Sequence, residues 1–196
     1  MSIGLIILLV LGGLFLAAVG IYNRLVSLKN QVQNAWRQID VQLQRRYDLI
    51  PNLIETVKGY MQYEKGTLEA VIKARSEAIS ARDSVKEQGG PAEGSLLKLM
   101  GAEGKLNGAL ANVFALTENY PELKASENMR LLQEELSSTE NKVAFARQAY
   151  NDQVMGYNTA QQQFPAVLIA NALGFHAADL FEVQDEAAKS AVKVSF

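Results

Sequence analysis

The sequence predicts an all-α protein, in which an N-terminal transmembrane helix continues into an antiparallel helical bundle of about four long helices. Three observations carry that expectation. Twenty uncharged residues run from Ile3 to Tyr22, and apolar residues then recur at three- and four-residue steps through most of the chain. The alternating β-branched runs that would signal strands are nearly absent. The implied division is an anchor over residues 1–23, a helical bundle over 24–182 and a C-terminal tail, partly mobile, over 183–196.

The anchor comes first. Twenty helical residues at 1.5 Å each match the roughly 30 Å hydrocarbon layer of a bilayer. Tyr22 suits the interface, where an aromatic ring sits among headgroups. A cleaved signal peptide would need a basic start, a shorter apolar core and a small-x-small site, and here nothing basic precedes the run. Only Met1 and Ser2 stand before the segment, whereas Arg24, Lys29 and Arg37 follow it. The positive-inside tendency then puts the N-terminus outside and the C-terminal domain in the cytoplasm of a single-pass inner-membrane protein. Gly12, Gly13 and Ala17 include a small-xxx-small spacing that lets two helices approach closely, although such spacings also arise by chance.

The domain helices follow in order. Leu25, Leu28, Val32, Ala35, Ile39 and Leu43 form the first stripe, and no Gly or Pro interrupts residues 23–50, so the membrane helix can continue into the domain. Pro51 biases Ile50 out of the α region and suits a helix's first turn, which predicts a break there and a second helix from Pro51 to about Val85. Its stripe is Ile54, Val57, Met61, Leu68, Ile72 and Ile79, with Gly66 a tolerated weak point, and it ends at Gln88-Gly-Gly-Pro91. A third helix is expected from about Ser95 to Glu118, closed by Asn119-Tyr-Pro121. The fourth carries Met129, Leu132, Leu136, Thr139, Val143, Ala146, Tyr150, Val154 and Tyr157 on one face, with Ser126 as N-cap and Phe164-Pro165 at its end. A short apolar helix from Ala166, capped by Gly174, is expected beyond it, and then weak periodicity.

Composition narrows the function classes. Apolar residues make 48% and charged residues 20% of 196, a globular balance. There is no cysteine, hence no disulfide framework and no thiolate chemistry. The net charge of −2 gives no basic footprint for nucleic acid. The first half of the domain is net positive and the second net negative, which suits head-to-tail contact between subunits and equally suits ordinary solvated faces.

The search for chemistry is short. His176 is the single histidine, so neither a zincin motif nor a di-iron pair of Glu-x-x-His motifs can be built. Gly104-Lys105 lacks the glycine six residues before the lysine and the Ser/Thr after it that a phosphate loop requires. No G-x-S-x-G elbow is present. No catalytic residue, metal ligand or cofactor is expected.

Two clusters stand out as candidate interaction surface: Arg45, Arg46, Tyr47, Asp48 and Asn52 at the expected first junction, and Glu118, Asn119 and Tyr120 at the third. If consecutive helices pair as hairpins, both lie at one end. Arg46 stands 24 residues beyond Tyr22, or about 36 Å along a continuous helix, so that end is distal to the membrane. Basic, aromatic and acidic groups at a tip can dock a protein; internal salt bridging and capping is the competing account.

The sequence resembles the LemA family. The resemblance rests on Tyr22-Asn-Arg-Leu-Val, Ala35-Trp36-Arg-Gln-Ile-Asp-Val-Gln-Leu, Arg45-Arg-Tyr-Asp-Leu-Ile-Pro-Asn-Leu and Glu55-Thr-Val-Lys-Gly-Tyr. It continues through Glu118-Asn-Tyr-Pro-Glu-Leu-Lys-Ala, Leu132-Gln-Glu-Glu-Leu, Thr139-Glu-Asn, Phe145-Ala-Arg-Gln and Phe164-Pro. The resemblance implies a bacterial membrane protein with an N-terminal anchor, a cytoplasmic helical bundle and no established enzymatic activity. It also points to membrane metallopeptidases, near which some members are encoded, as partners, and so to membrane-protein quality control.

The leading expectation is therefore a membrane-anchored scaffold or adaptor that contacts lipid, forms homo-oligomers and presents a docking surface. Binding of lipid or a small ligand through Ala166–Phe175 is the alternative. An unrecognised enzyme built on buried carboxylates or tyrosines ranks below both.

Overall fold

The computed structural model describes residues 2–61, 64–88 and 90–181. The expected tail over 183–196 lies outside them. Among the described residues the fold is all-α, with six helices: α1 (Ile3–Lys58), α2 (Lys65–Glu87), α3 (Glu93–Thr117), α4 (Pro121–Lys124), α5 (Glu127–Gln162) and α6 (Ala166–Leu173).

Helix α1 is 56 residues long, about 84 Å at 1.5 Å per residue. Its apolar start projects alone: an eighteen-residue stretch has a mean hydropathy of 2.8 and none of it is buried. From Leu25 the same helix turns one face inward, burying Leu25, Val32, Trp36, Ile39, Leu43, Ile50, Leu53 and Val57. The three- and four-residue steps of this set keep it on one stripe of the helix.

Pro51 does not end α1, contrary to the sequence expectation; it sits inside the helix, and the break comes at Gly59. A proline in a helix interior removes one N–H, so the carbonyl four residues back loses its partner. Here that carbonyl is Tyr47 O, and Arg75 of α2 supplies the missing donor, its Nε 2.8 Å away. The shifted break also shifts the register of α2. Leu68, Val71, Ala74, Ala78 and Val85 face inward, while Ile72, assigned to the stripe on sequence, is exposed.

Helices α2 and α3 form a hairpin, tied on its surface by Lys105 Nζ to Glu77 at 3.0 Å. The connection turns at Gly90, whose φ of +144° lies where only glycine is unstrained. Helix α5 runs antiparallel to α1 along most of its length. Trp36 packs edge-on against Tyr150 with centroids 6.2 Å apart, and further along Arg45 pairs with Glu135. The α1–α5 and α2–α3 pairs then close on a common core. The path is up, down, up, down, so the α1–α2 and α3–α5 turns share the end far from the apolar segment. Ser126 occupies the N-cap position of α5 as expected, but its side chain makes no capping bond. Gly174 ends α6 at φ +71°, a left-handed cap.

Candidate functional site

Arg46 and Tyr47 are corrected from exposed tip residues to interior ones. Arg46 is 3% exposed and Tyr47 0%. They stand between Leu43 and Ile50 on the buried stripe, about 18 Å of helix short of Lys58. Their partner is Glu103 of α3, itself 1% exposed. Arg46 Nη1 donates to Glu103 Oε2 at 3.1 Å, Tyr47 Oη donates to Glu103 Oε1, and Arg46 Nη2 donates to Asn107. Arg147 of α5 brings Nη2 within 3.8 Å of the same carboxylate. Arg82 of α2 lies over the Tyr47 ring, 5.7 Å from its centroid.

One carboxylate thus sits between two guanidiniums, and all four long helices contribute. Burial, reinforced by the facing Glu103, holds the Tyr47 phenol far above the usual tyrosine range. Burial likewise lowers the pKa of the Arg147 guanidinium, against the opposing pull of Glu103. A phenol locked in its protonated form as donor to a carboxylate is unsuited to proton transfer near neutrality. The arrangement sets the register of the four helices against one another.

The other expected surface residues remain outside. Arg45 is exposed and paired with Glu135, and Asp48 accepts from Gln44 at 2.7 Å. Asn52 is exposed, and its carbonyl accepts from Thr56 Oγ1. At the distal tip Glu118 pairs with Lys124, Asn119 is exposed, and Tyr120 lies half-buried against the core. Asp48 and Asn52 therefore lie below the tip on α1, whereas Glu118, Asn119 and Tyr120 form it. Gly12 and Gly13 have open space where a Cβ would stand, and Ala17 is exposed.

A second polar arrangement escaped the sequence reading. After α6 the chain returns along α5 as an extended strap over residues 175–181. Asn158 both donates to Ala178 O at 2.9 Å and accepts from Ala178 N at 2.9 Å. Asn151 does the same with Phe181, at 3.0 and 2.7 Å. Tyr150 and Tyr157 donate to the carbonyls of Asp179 and His176. The register is geometric: seven helical residues and three extended ones both cover about 10 Å. At Phe181 the ring lies 4.5 Å from the Arg147 guanidinium, beside the buried charge cluster.

Among the described residues no three His, Asp or Glu side chains stand close enough to hold a metal ion. A model of the LemA family matches residues 35–196. The chain belongs to the LemA family. LemA proteins are not known enzymes, and the described residues show no catalytic motif. The match begins within α1, past the apolar segment, whose role rests on its own length and composition.

Curated bacterial proteins align with most of the chain. The magnetosome protein MamQ of Magnetospirillum gryphiswaldense is 25% identical over 174 residues, covering 82% of this chain and 64% of its own length. A MamQ protein of Paramagnetospirillum magneticum is also 25% identical, over 175 residues, with the same coverage. Protein LemA of Metamycoplasma hominis is 26% identical over 181 residues, 92% of this chain and 78% of its own. The chain spans slightly less than two thirds of the length of the MamQ relatives.

Proposed function

We infer that this LemA protein is a membrane-anchored helical scaffold that self-associates and presents its bundle to other membrane proteins. The observation that carries the reading is the two-part character of α1: fully exposed and apolar at its start, a core helix of the bundle from Leu25 onward. An unpaired helix of mean hydropathy 2.8 is stable in hydrocarbon and not in water. Arg24, Lys29 and Arg37 beyond it favour a bundle on the cytoplasmic side. Gly12, Gly13 and Ala17, open on that helix, offer a close-approach surface for a second copy. Glu118, Asn119 and Tyr120 at the tip, with Arg45, Asp48 and Asn52 along the exposed side of α1, are the docking positions. A membrane metallopeptidase is a candidate partner, in keeping with a quality-control role.

Mild crosslinking in native membranes, purification of this chain and mass spectrometry test the reading. The expected result is a ladder of self-multiples, reduced by Gly13→Ile, with a second membrane protein in fixed proportion. A strictly monomeric chain that recovers nothing refutes it.

A further inference from the structure

The underside of the bundle has a composition unlike the rest of the chain. From Gln153 to Ala178 there is no Lys, Arg, Asp or Glu, in a protein where 20% of residues are charged. That stretch holds the last turns of α5, all of α6 and the start of the strap. Asn171 and His176 are the only polar side chains between Phe164 and Ala178. Large apolar side chains there face outward: Phe164 is 81% exposed, Leu168 62% and Leu173 58%.

Its location gives this face its meaning. Ala170 of α6 is buried against Leu25 and Ala160, with Ile21, Leu28 and Phe175 packed around them. Phe175 meets the Tyr22 ring edge-on, centroids 5.8 Å apart, and Lys29 Nζ lies 5.9 Å from the Phe175 ring. Helix α6 is therefore fastened to α1 between Ile21 and Leu28, a height range of about 10 Å. If Ile3–Tyr22 fills the hydrocarbon, that range is the headgroup and acyl boundary, where interfacial helices lie 5–10 Å deep. Arg24 and Lys29 stand at the same height, placed for lipid phosphates.

We propose that Phe164 and the outer face of α6, with Leu168 and Leu173, form a second membrane contact, seated in the interfacial layer of the bilayer that α1 crosses. This rests on the anchored reading, since the same face would otherwise be an apolar patch in water. The continuity of the patch with the apolar segment identifies lipid as the occupant. The bilayer covers an exposed face already held at its surface, and a two-point attachment fixes the tilt of the bundle where α1 alone does not.

The chain has no cysteine, so single labels are specific. Full-length protein carrying Phe164→Cys, Leu168→Cys or Leu173→Cys, labelled with an environment-sensitive fluorophore, is reconstituted in vesicles of phosphatidylcholine and phosphatidylglycerol. Leu9→Cys reports the apolar segment and Phe145→Cys, exposed on α5, reports the aqueous side. Lipids bearing a nitroxide near the headgroup are expected to quench labels at 164, 168 and 173 severalfold more than at 145, while iodide quenches 145 preferentially. Labels at 164, 168 and 173 that behave like 145, with Leu9 still quenched by lipid, overturn the proposal and leave the anchor standing. Shielding from both quenchers means that protein covers the face, and also overturns it. Loss of lipid quenching at Leu9 overturns the anchor and this contact together.

Discussion

Glu103→Ala is the substitution to which this fold is expected to be most sensitive. The carboxylate it removes lies between Arg46 at 3.1 Å and Arg147 at 3.8 Å, and also accepts from the buried Tyr47 phenol. Removing one partner of a buried ion pair leaves an uncompensated charge and costs about 3–5 kcal/mol. The orphaned Tyr47 hydroxyl adds about 1 kcal/mol. With a urea slope near 2 kcal/mol/M, a total of about 4–6 kcal/mol lowers the unfolding midpoint by roughly 2–3 M. Trp36 is the single tryptophan, buried against Tyr150, so its fluorescence reports the α1–α5 interface of the full chain in detergent. Removing both charges together is far cheaper, because an apolar pair of similar volume is often neutral. Arg46→Met with Glu103→Leu should therefore recover most of the loss. Arg147→Ala should cost less than Glu103→Ala, since Arg147 keeps 22% of its side chain in contact with solvent. A midpoint shift under about 0.5 M for Glu103→Ala, equivalent to about 1 kcal/mol, refutes the reasoning; so does a larger cost for Arg147→Ala.

Arg75→Met should cost about 1–3 kcal/mol in the presence of Pro51, because the Tyr47 carbonyl then has no donor. In a Pro51→Ala background the restored helical N–H should shrink that cost, and equal costs in urea melts of both backgrounds would disprove the proposed substitution of donors. Asn151→Ala and Asn158→Ala each remove two strap bonds, and should speed amide exchange at Phe181 and Ala178 respectively with little change at α3. Uniform change across the bundle would show that the strap is not a separate unit. Tyr47 and Tyr150 both have raised pKa values, chiefly from burial, so the fold favours their neutral phenols. Their contribution is complete below the unfolded value of about 10 and is lost progressively as pH rises above it. The thermal midpoint should fall above about pH 10, less steeply in Tyr47→Phe, and identical alkaline slopes would rule out Tyr47 as a source.

The parts of this fold most readable in the sequence are those where period and punctuation agree. Helix α5 shows its stripe from Met129 to Tyr157, α3 stops before Asn119-Tyr-Pro121, and α6 ends on Gly174. Pro51 misleads because local propensity favours a boundary there, while the donor that makes an interior proline tolerable sits on Arg75, 24 residues on. Arg46, Tyr47 and Glu103 were legible by position: the first two lie between Leu43 and Ile50, and Glu103 between Leu99 and Leu106, all on buried stripes. Residue type argued for the surface and periodicity for the interior, and the complementary charges allowed periodicity to win. The asparagine register of the strap had no sequence signal, because seven residues of helix meet three of extended chain only once the chain has turned back.

The unbroken course of α1 makes direction, as well as location, something the bundle inherits. From Tyr22 to Lys58 the helix covers about 54 Å without a hinge. A 20° change in the axis of the apolar segment, the average inclination of spanning helices, therefore displaces the far tip by about 18 Å. If Ile3–Tyr22 spans a bilayer and α1 alone holds the bundle, small differences in bilayer thickness become large lateral excursions at Glu118 and Asn119; a second contact through α6 is what would hold that long pointer to one aim.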